Sequence, residues 1–132
     1  MPDTTLEDQL AGFSPALPYT RENLADAPNT PGVHVVLERG AVIYVGRTRH
    51  LRDRMRQHLT GNRTSSVLHD QVGTRLDKRG PEATADDIAA WLGACDIRWL
   101  ETGDLEATKD ALVVALQPRF NRQIPGQSRA AR

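Results

Sequence analysis

A chain of 132 residues that is 39% apolar is long enough to bury a real core in one domain, and it has no apolar run near the roughly twenty residues that span a bilayer. Seventeen basic and seventeen acidic side chains cancel, which argues against a uniformly basic nucleic-acid binder, but the charges are segregated: acids and bases number five and one over residues 1–30, four and ten over 31–81, eight and two over 82–110, and none and four over 111–132. The single cysteine, Cys95, has no internal disulfide partner, and with the four histidines it shows no zinc-ligand spacing.

Met1 is followed by Pro2-Asp3 and no apolar stretch, so no signal peptide is expected and a cytoplasmic location is the default. Residues 4–11 predict a short helix with acids in its first turns, and Ser14 to Pro18 is a breaker stretch. Thr20 predicts an N-cap for a helix over 21–27, ended by Pro28, Asn29 and Pro31. This helical leader, residues 1–30, is expected to pack on a sheet without taking part in chemistry.

From Pro31 to Thr60 the chain reads as strand, tight turn, strand, loop and helix. Val33, Val35 and Leu37 alternate with His34, Val36 and Glu38, then Ala41, Ile43 and Val45 with Val42, Tyr44 and Gly46, a period-two pattern rich in Val and Ile. A three-residue loop Glu38-Arg39-Gly40 with Gly40 left-handed predicts Val35 opposite Ile43, facing the core, and His34 opposite Tyr44 on the other face. A two-residue Arg39-Gly40 turn would slip that register by one and part His34 from Tyr44; Arg is a poor first residue for it. Five arginines (47, 49, 52, 54 and 56) follow within ten residues. Leu51, Met55 and Leu59 mark one buried stripe of a helix, with Arg54 and His58 one turn apart at its edge and Arg52 and Arg56 further round. Thr48 is the expected N-cap and Gly61 the expected stop.

Beyond Gly61, Ser65 or Ser66 starts a helix through about Lys78, with Val67, Leu68, Val72 and Leu76 as its stripe, and Arg79-Gly80-Pro81 breaks it. Thr84 caps a helix over 85–92 ended by Gly93. Ile97-Arg98-Trp99-Leu100 alternates as a third strand, so the preceding TADDIAAWLG string is not read as half of a DNA-reading helix pair. Trp91 and Trp99 are expected in the core. The last helix runs from about Asp104 to Gln117 with Leu105, Leu112 and Leu116 buried, and residues after Gln127 are expected to be a disordered basic tail.

These motifs resemble the GIY-YIG endonuclease family. Gly32-Val33-His34 stands where that family has its first triplet and Tyr44-Val45-Gly46 where it has the second; Arg54, His58 and the Pro118-Arg119-Phe120-Asn121 string fall at its later motif positions. The resemblance spans about Pro31 to Asn121. It implies an α+β fold with a small three-stranded antiparallel sheet flanked by helices. A nuclease-like domain would cover 31–122, with a helical insertion at about 63–94 and a basic tail over 123–132. It implies a metal-dependent DNA endonuclease, with DNA as partner, no membrane, and one Mg²⁺ or Mn²⁺ ion. His34 and Tyr44 would position and activate water, Arg54 and Arg47 would grip the phosphate, and His58 would bind phosphate or protonate the leaving group. Arg49, Arg52, Arg56, Arg119, Asn121 and Arg122 would hold nucleic acid, and Asn121 would also hold backbone near the site. The two basic blocks, brought together, would make one positive face for phosphates.

The family's metal-binding glutamate position, twelve residues before the closing Asn, is Lys109 here. Glu106 lies one turn earlier, roughly 4.5 Å along a helix axis. Either Glu106 serves as the single carboxylate on the metal, with a catalytic role, or the Lys109 ammonium takes the metal's place and the protein binds nucleic acid without cutting it. A third reading is a protein-interaction domain whose arginines pair with an acidic partner.

Overall fold

In the computed structural model, residues 5–121 are described; Arg122 and the expected basic tail lie outside them. Four antiparallel strands in the order β1-β4-β2-β3 form one sheet: β1 (Leu17–Pro18), β4 (Asp96–Glu101), β2 (Gly32–Glu38) and β3 (Ala41–Thr48). Three strands were expected. The fourth, β1, is a two-residue pairing of Leu17 with Ile97 and Pro18 with Asp96 inside the stretch read as a breaker. Proline is tolerated there because β1 is an edge strand.

Strand β2 is central and paired on both sides, and residues 32–37 are all buried. One face of the sheet packs Val33, Val35, Leu37 and Val45 against α1 (Leu6–Gln9) and α6 (Leu105–Leu116), through Leu10, Leu112 and Val113. The other face packs Val36, Ile43, Tyr44 and Ile97 against α2 (Arg21–Leu24), α3 (Leu51–Thr60), α4 (Val67–Asp77) and α5 (Ala85–Gly93). Both faces are therefore core, which is why β2 reads as a near-continuous apolar run interrupted by one histidine.

The hairpin register differs from the expected one. Val35 pairs with Val45 and His34 with Gly46, and the turn is the two-residue Arg39-Gly40, with φ of 52° and 83°. Positive φ at both positions matches the right-handed twist of the flanking strands, and that gain outweighs the poor local preference of arginine. The slip this turn imposes is undone by a bulge: Leu37 pairs with Val42 and Val36 with Tyr44, leaving Ile43 as the extra residue. His34 and Tyr44 return to the same face, now as diagonal neighbours.

Leader residues are integral to both cores. Leu10, Tyr19 and Leu24 are fully buried. Buried Arg98 donates through Nε to the Ser14 carbonyl at 2.9 Å and pairs with Glu7 at 3.0 Å. Segment 28–30 also caps α3: Leu51 and Arg52 donate their N–H groups to the Thr30 and Pro28 carbonyls, and Asp53 donates to Asn29 Oδ1. Thr48, the expected N-cap, instead accepts from the His50 N–H, and His50 occupies the cap position. Gly61 ends α3 as expected, and Thr84 caps α5 in a reciprocal box with Asp87.

The glycines of both triplets sit at close approaches. A Cβ on Gly32 would collide with the Leu100 carbonyl oxygen and lie 2.5 Å from Leu51 Cδ1, whereas one on Gly40 would meet nothing within 4 Å. Gly32→Ala is expected to destabilise by about 2–3 kcal/mol through overpacking. Gly40→Ala is expected to cost only about 1 kcal/mol, from its left-handed backbone. Urea unfolding of the two variants checks the difference.

Candidate functional site

Alternation along β2 and β3 puts His34, Tyr44 and Gly46 on the α3 side of the sheet, and α3 brings His58 and Arg54 over them. The three rings form a cluster. His34 and Tyr44 centroids are 6.0 Å apart, His34 and His58 5.2 Å, and Tyr44 and His58 5.4 Å, the last edge to face. Gly46 makes room for this: a Cβ there would lie 2.5 Å from Cε1 and Nε2 of His34 and 3.0 Å from Tyr44 Cε2.

His34 and His58 are 0% exposed and Tyr44 8%. His58 Nδ1 lies 2.5 Å from Ser66 Oγ, which also accepts the His69 N–H as the N-cap of α4. His69 Nδ1 donates to the His58 carbonyl at 2.8 Å. Both ring nitrogens of His34 and Nε2 of His58 are buried without a protein partner. Each such group, left unpaired, costs on the order of 1–3 kcal/mol, so three in one cluster make it a candidate site for a polar ligand or water. Below the cluster the Tyr19 hydroxyl donates to the Met55 carbonyl at 2.6 Å. Tyr19 and Ser66 were not identified as site residues from the sequence. Ser66 was visible only as a cap, and nothing in the leader marked Tyr19.

The Arg54 guanidinium is half-buried. It donates to Gln57 Oε1 at 2.5 Å and to the Ser65 carbonyl at 3.1 Å. Burial, reinforced by the Arg54 and Lys109 cations, pushes His34 down to about 3. Burial, with His34, Arg54 and His69 beside it, holds His58 well below the ordinary histidine value. Burial raises the Tyr44 phenol, against the pull of Arg54. Near neutrality the cluster is therefore two neutral imidazoles and one neutral phenol beside a fixed cation. Such a set can donate hydrogen bonds to an oxyanion, but His34 is a weak base.

The remaining expected residues are placed elsewhere. Arg47 pairs across from Val33, so it points to the α6 side of the sheet, away from the rings. There it meets Glu106 at 3.4 Å, with side chains 45% and 76% exposed. Lys109 is half-buried, and burial together with Arg47 lowers its pKa against the opposing carboxylates of Asp110 and Glu106. Arg49 is exposed, Arg52 and Arg56 are half-buried on α3, and Arg56 Nε is buried without a partner. Arg119 pairs with Glu38 at the hairpin tip, at the far end of β2 from His34. Asn121 Oδ1 accepts the Val45 N–H at 2.9 Å and its Nδ2 donates to the Val45 carbonyl at 2.8 Å. Its amide extends the sheet along the free edge of β3, which is a positioning role and leaves little for a phosphate.

The donor set does not fit a resident divalent ion. Mg²⁺ and Mn²⁺ favour carboxylate and water oxygen. Among the described residues no group of three or more His, Cys, Asp or Glu could hold a metal, and the carboxylate one turn from Lys109, Glu106, is shared with Arg47.

The two histidines of the ring cluster, His34 and His58, make stability pH-dependent. Each is neutral when folded and titrates at about 6.5 when unfolded, so below that value the unfolded state binds more protons. Stability should fall as pH drops from about 6.5, the His34 share of the loss continuing toward pH 3. The two rings together would give a slope approaching 2.7 kcal/mol per pH unit, about 1.4 for each. His34→Tyr should remove about half of that slope. Urea midpoints measured against pH check both statements.

No family model matches the chain, and no curated protein does. Solved structures do. The GIY-YIG N-terminal endonuclease domain of UvrC from Thermotoga maritima, bound to its catalytic magnesium, is 19% identical over 76% of this chain and 93% of that one, with a TM-score of 0.50. A tyrosine-to-phenylalanine point mutant of that domain, with the catalytic divalent cation, is 20% identical over 78% and 94%, at 0.50. An asparagine-to-alanine mutant is 19% identical over the same shares, at 0.51. An antiparallel sheet flanked by helices, two glycine triplets on one hairpin and the likeness to these solved structures agree: the chain has a GIY-YIG-like fold.

Proposed function

We propose that this protein binds the phosphodiester backbone of nucleic acid at the Arg54 ring cluster, and that Lys109 takes the place of a divalent cation. The observation that supports this most is that three buried ring nitrogens without protein partners stand beside the half-buried Arg54, with no carboxylate of the described residues acting on the rings. An arginine fork with neutral N–H and O–H donors is suited to a phosphate oxyanion. No helix of the described residues is long and apolar enough to cross a membrane.

A second reading, a metal-dependent DNA endonuclease with Glu106 as its single carboxylate on Mg²⁺ or Mn²⁺, draws on one specific feature. Glu106 is 76% exposed and held by an exposed ion pair, which is worth little and readily broken. In that reading His34 and Tyr44 position water, and His58 assists the leaving group.

Anisotropy of labelled DNA, with and without EDTA, and a nicking assay with Mg²⁺ or Mn²⁺ separate the readings. Binding is expected to be salt-sensitive, equal in EDTA and Mg²⁺, and about 10- to 100-fold weaker in Arg54→Gln. Cleavage that needs metal and disappears in Glu106→Gln would establish the endonuclease. Binding that ignores both salt and Arg54 would sink both readings in favour of a protein-interaction role. In a companion test, Lys109→Glu should raise the thermal midpoint in Mn²⁺, by adding a second carboxylate one turn from Glu106, whereas the unaltered chain should not respond.

A further inference from the structure

At the hairpin end of the sheet lies a cavity of about 540 Å³, within the size range of small-ligand sites. Four arginines line it, Arg39, Arg75, Arg79 and Arg119, against one carboxylate, Glu38. That carboxylate is already paired with Arg119. Among the described residues, Arg39, Arg75 and Arg79 make no ion pair. His34 and Glu38 are four residues apart on one strand, roughly 13 Å, so the cavity is separate from the ring cluster.

Several features orient these cations. The Arg75 guanidinium lies 5.6 Å from the centroid of the Trp91 ring, and that of Arg119 lies 5.1 Å from the centroid of Phe120. Such stacking holds the planar group without consuming its hydrogen-bond donors. Arg39 occupies a turn position with φ of 52°, where Asn or Gly would be less strained. The C-terminal end of α4 offsets part of the repulsion between Arg75 and Arg79, but not that of Arg39 and Arg119. Cys95 also lines the cavity, and burial, with the Glu38 and Asp96 carboxylates, pushes its thiol up to about 11, so it supplies no nucleophile. The arrangement is suited to binding, with no chemistry of its own.

We propose that this cavity is a second anion site that takes phosphate groups, carried either on a free nucleotide or on a nucleic-acid strand running along the hairpin. The proposal does not depend on the ring cluster's function.

Calorimetric titration of the full chain with pyrophosphate at constant ionic strength tests it, in an Arg54→Gln background so that the ring cluster does not contribute. Saturable binding is expected, weakened at least about tenfold by Arg79→Gln and by Arg39→Gln, both exposed positions whose variants should melt as the parent does. A labelled single-stranded oligonucleotide then identifies the source. If pyrophosphate displaces it, and Arg79→Gln lowers the salt slope by about one, the site takes a strand. If pyrophosphate binds and the oligonucleotide does not compete, the ligand is a free phosphate compound. No heat of binding, or heat unchanged in both variants, overturns the proposal. Oligonucleotide binding that depends on Arg54 but not on Arg79 excludes the strand as the source, and together with no heat from pyrophosphate it overturns the proposal while leaving the ring cluster's role standing.

Discussion

Everything at the ring cluster depends on one extra residue in β3. The tight Arg39-Gly40 turn shifts the hairpin register by one, which alone would send His34 and Tyr44 to opposite faces. The bulge at Ile43 cancels that shift. Two further constraints hold the corrected register. Gly46 admits the His34 ring where any side chain would collide. The Asn121 amide satisfies both backbone groups of Val45 on the outer edge of β3, so a segment after α6 fixes the same strand from the other side. Without it, that N–H and C=O would face an open edge, where register is weakly specified.

With both faces of β2 buried, a polar residue on it must be accommodated on purpose. His34 is the one polar side chain within the buried span of β2, and it stands among Tyr44, His58 and Gly46 with no hydrogen-bond partner in the protein. Its neutrality follows from burial first and the nearby cations second. The same burial keeps Tyr44 protonated. A cluster assembled this way is fixed in charge across the physiological range, with the Arg54 guanidinium as the cation beside it.

Much of this was legible in the chain. Helices α3 to α6 announced themselves through spacing and caps, as in Thr84 with Asp87 and the Leu51, Met55, Leu59 stripe. The triplets and Asn121 pointed to the fold because their spacing encodes a hairpin and its edge. Two things were hidden for physical reasons. Strand β1 is too short to show a period, and its partner lies some eighty residues away. The turn type was misjudged because arginine's local preference opposed the twist of the strands, and twist prevailed. The position of Arg47 was readable, since it is odd where Tyr44 is even, so alternation alone sends it to the α6 side. Its partner Glu106 could be found only once α6 was seen to pack on that face.

In the proposed reading, the sign of the charge at position 109 decides which ligand is attracted there. Two unit charges about 4 Å apart interact by on the order of 4 kcal/mol at an effective dielectric near 20. A carboxylate at position 109 would draw a divalent cation by a multiple of that. An ammonium there opposes the cation by a similar amount, and the adjacent Arg47 adds to the opposition. Glu106, shared with Arg47 and mostly in solvent, and Asp110 restore only part of the balance. In the proposed reading, the lysine at position 109 of α6 thus disfavours a divalent cation there and favours an anion.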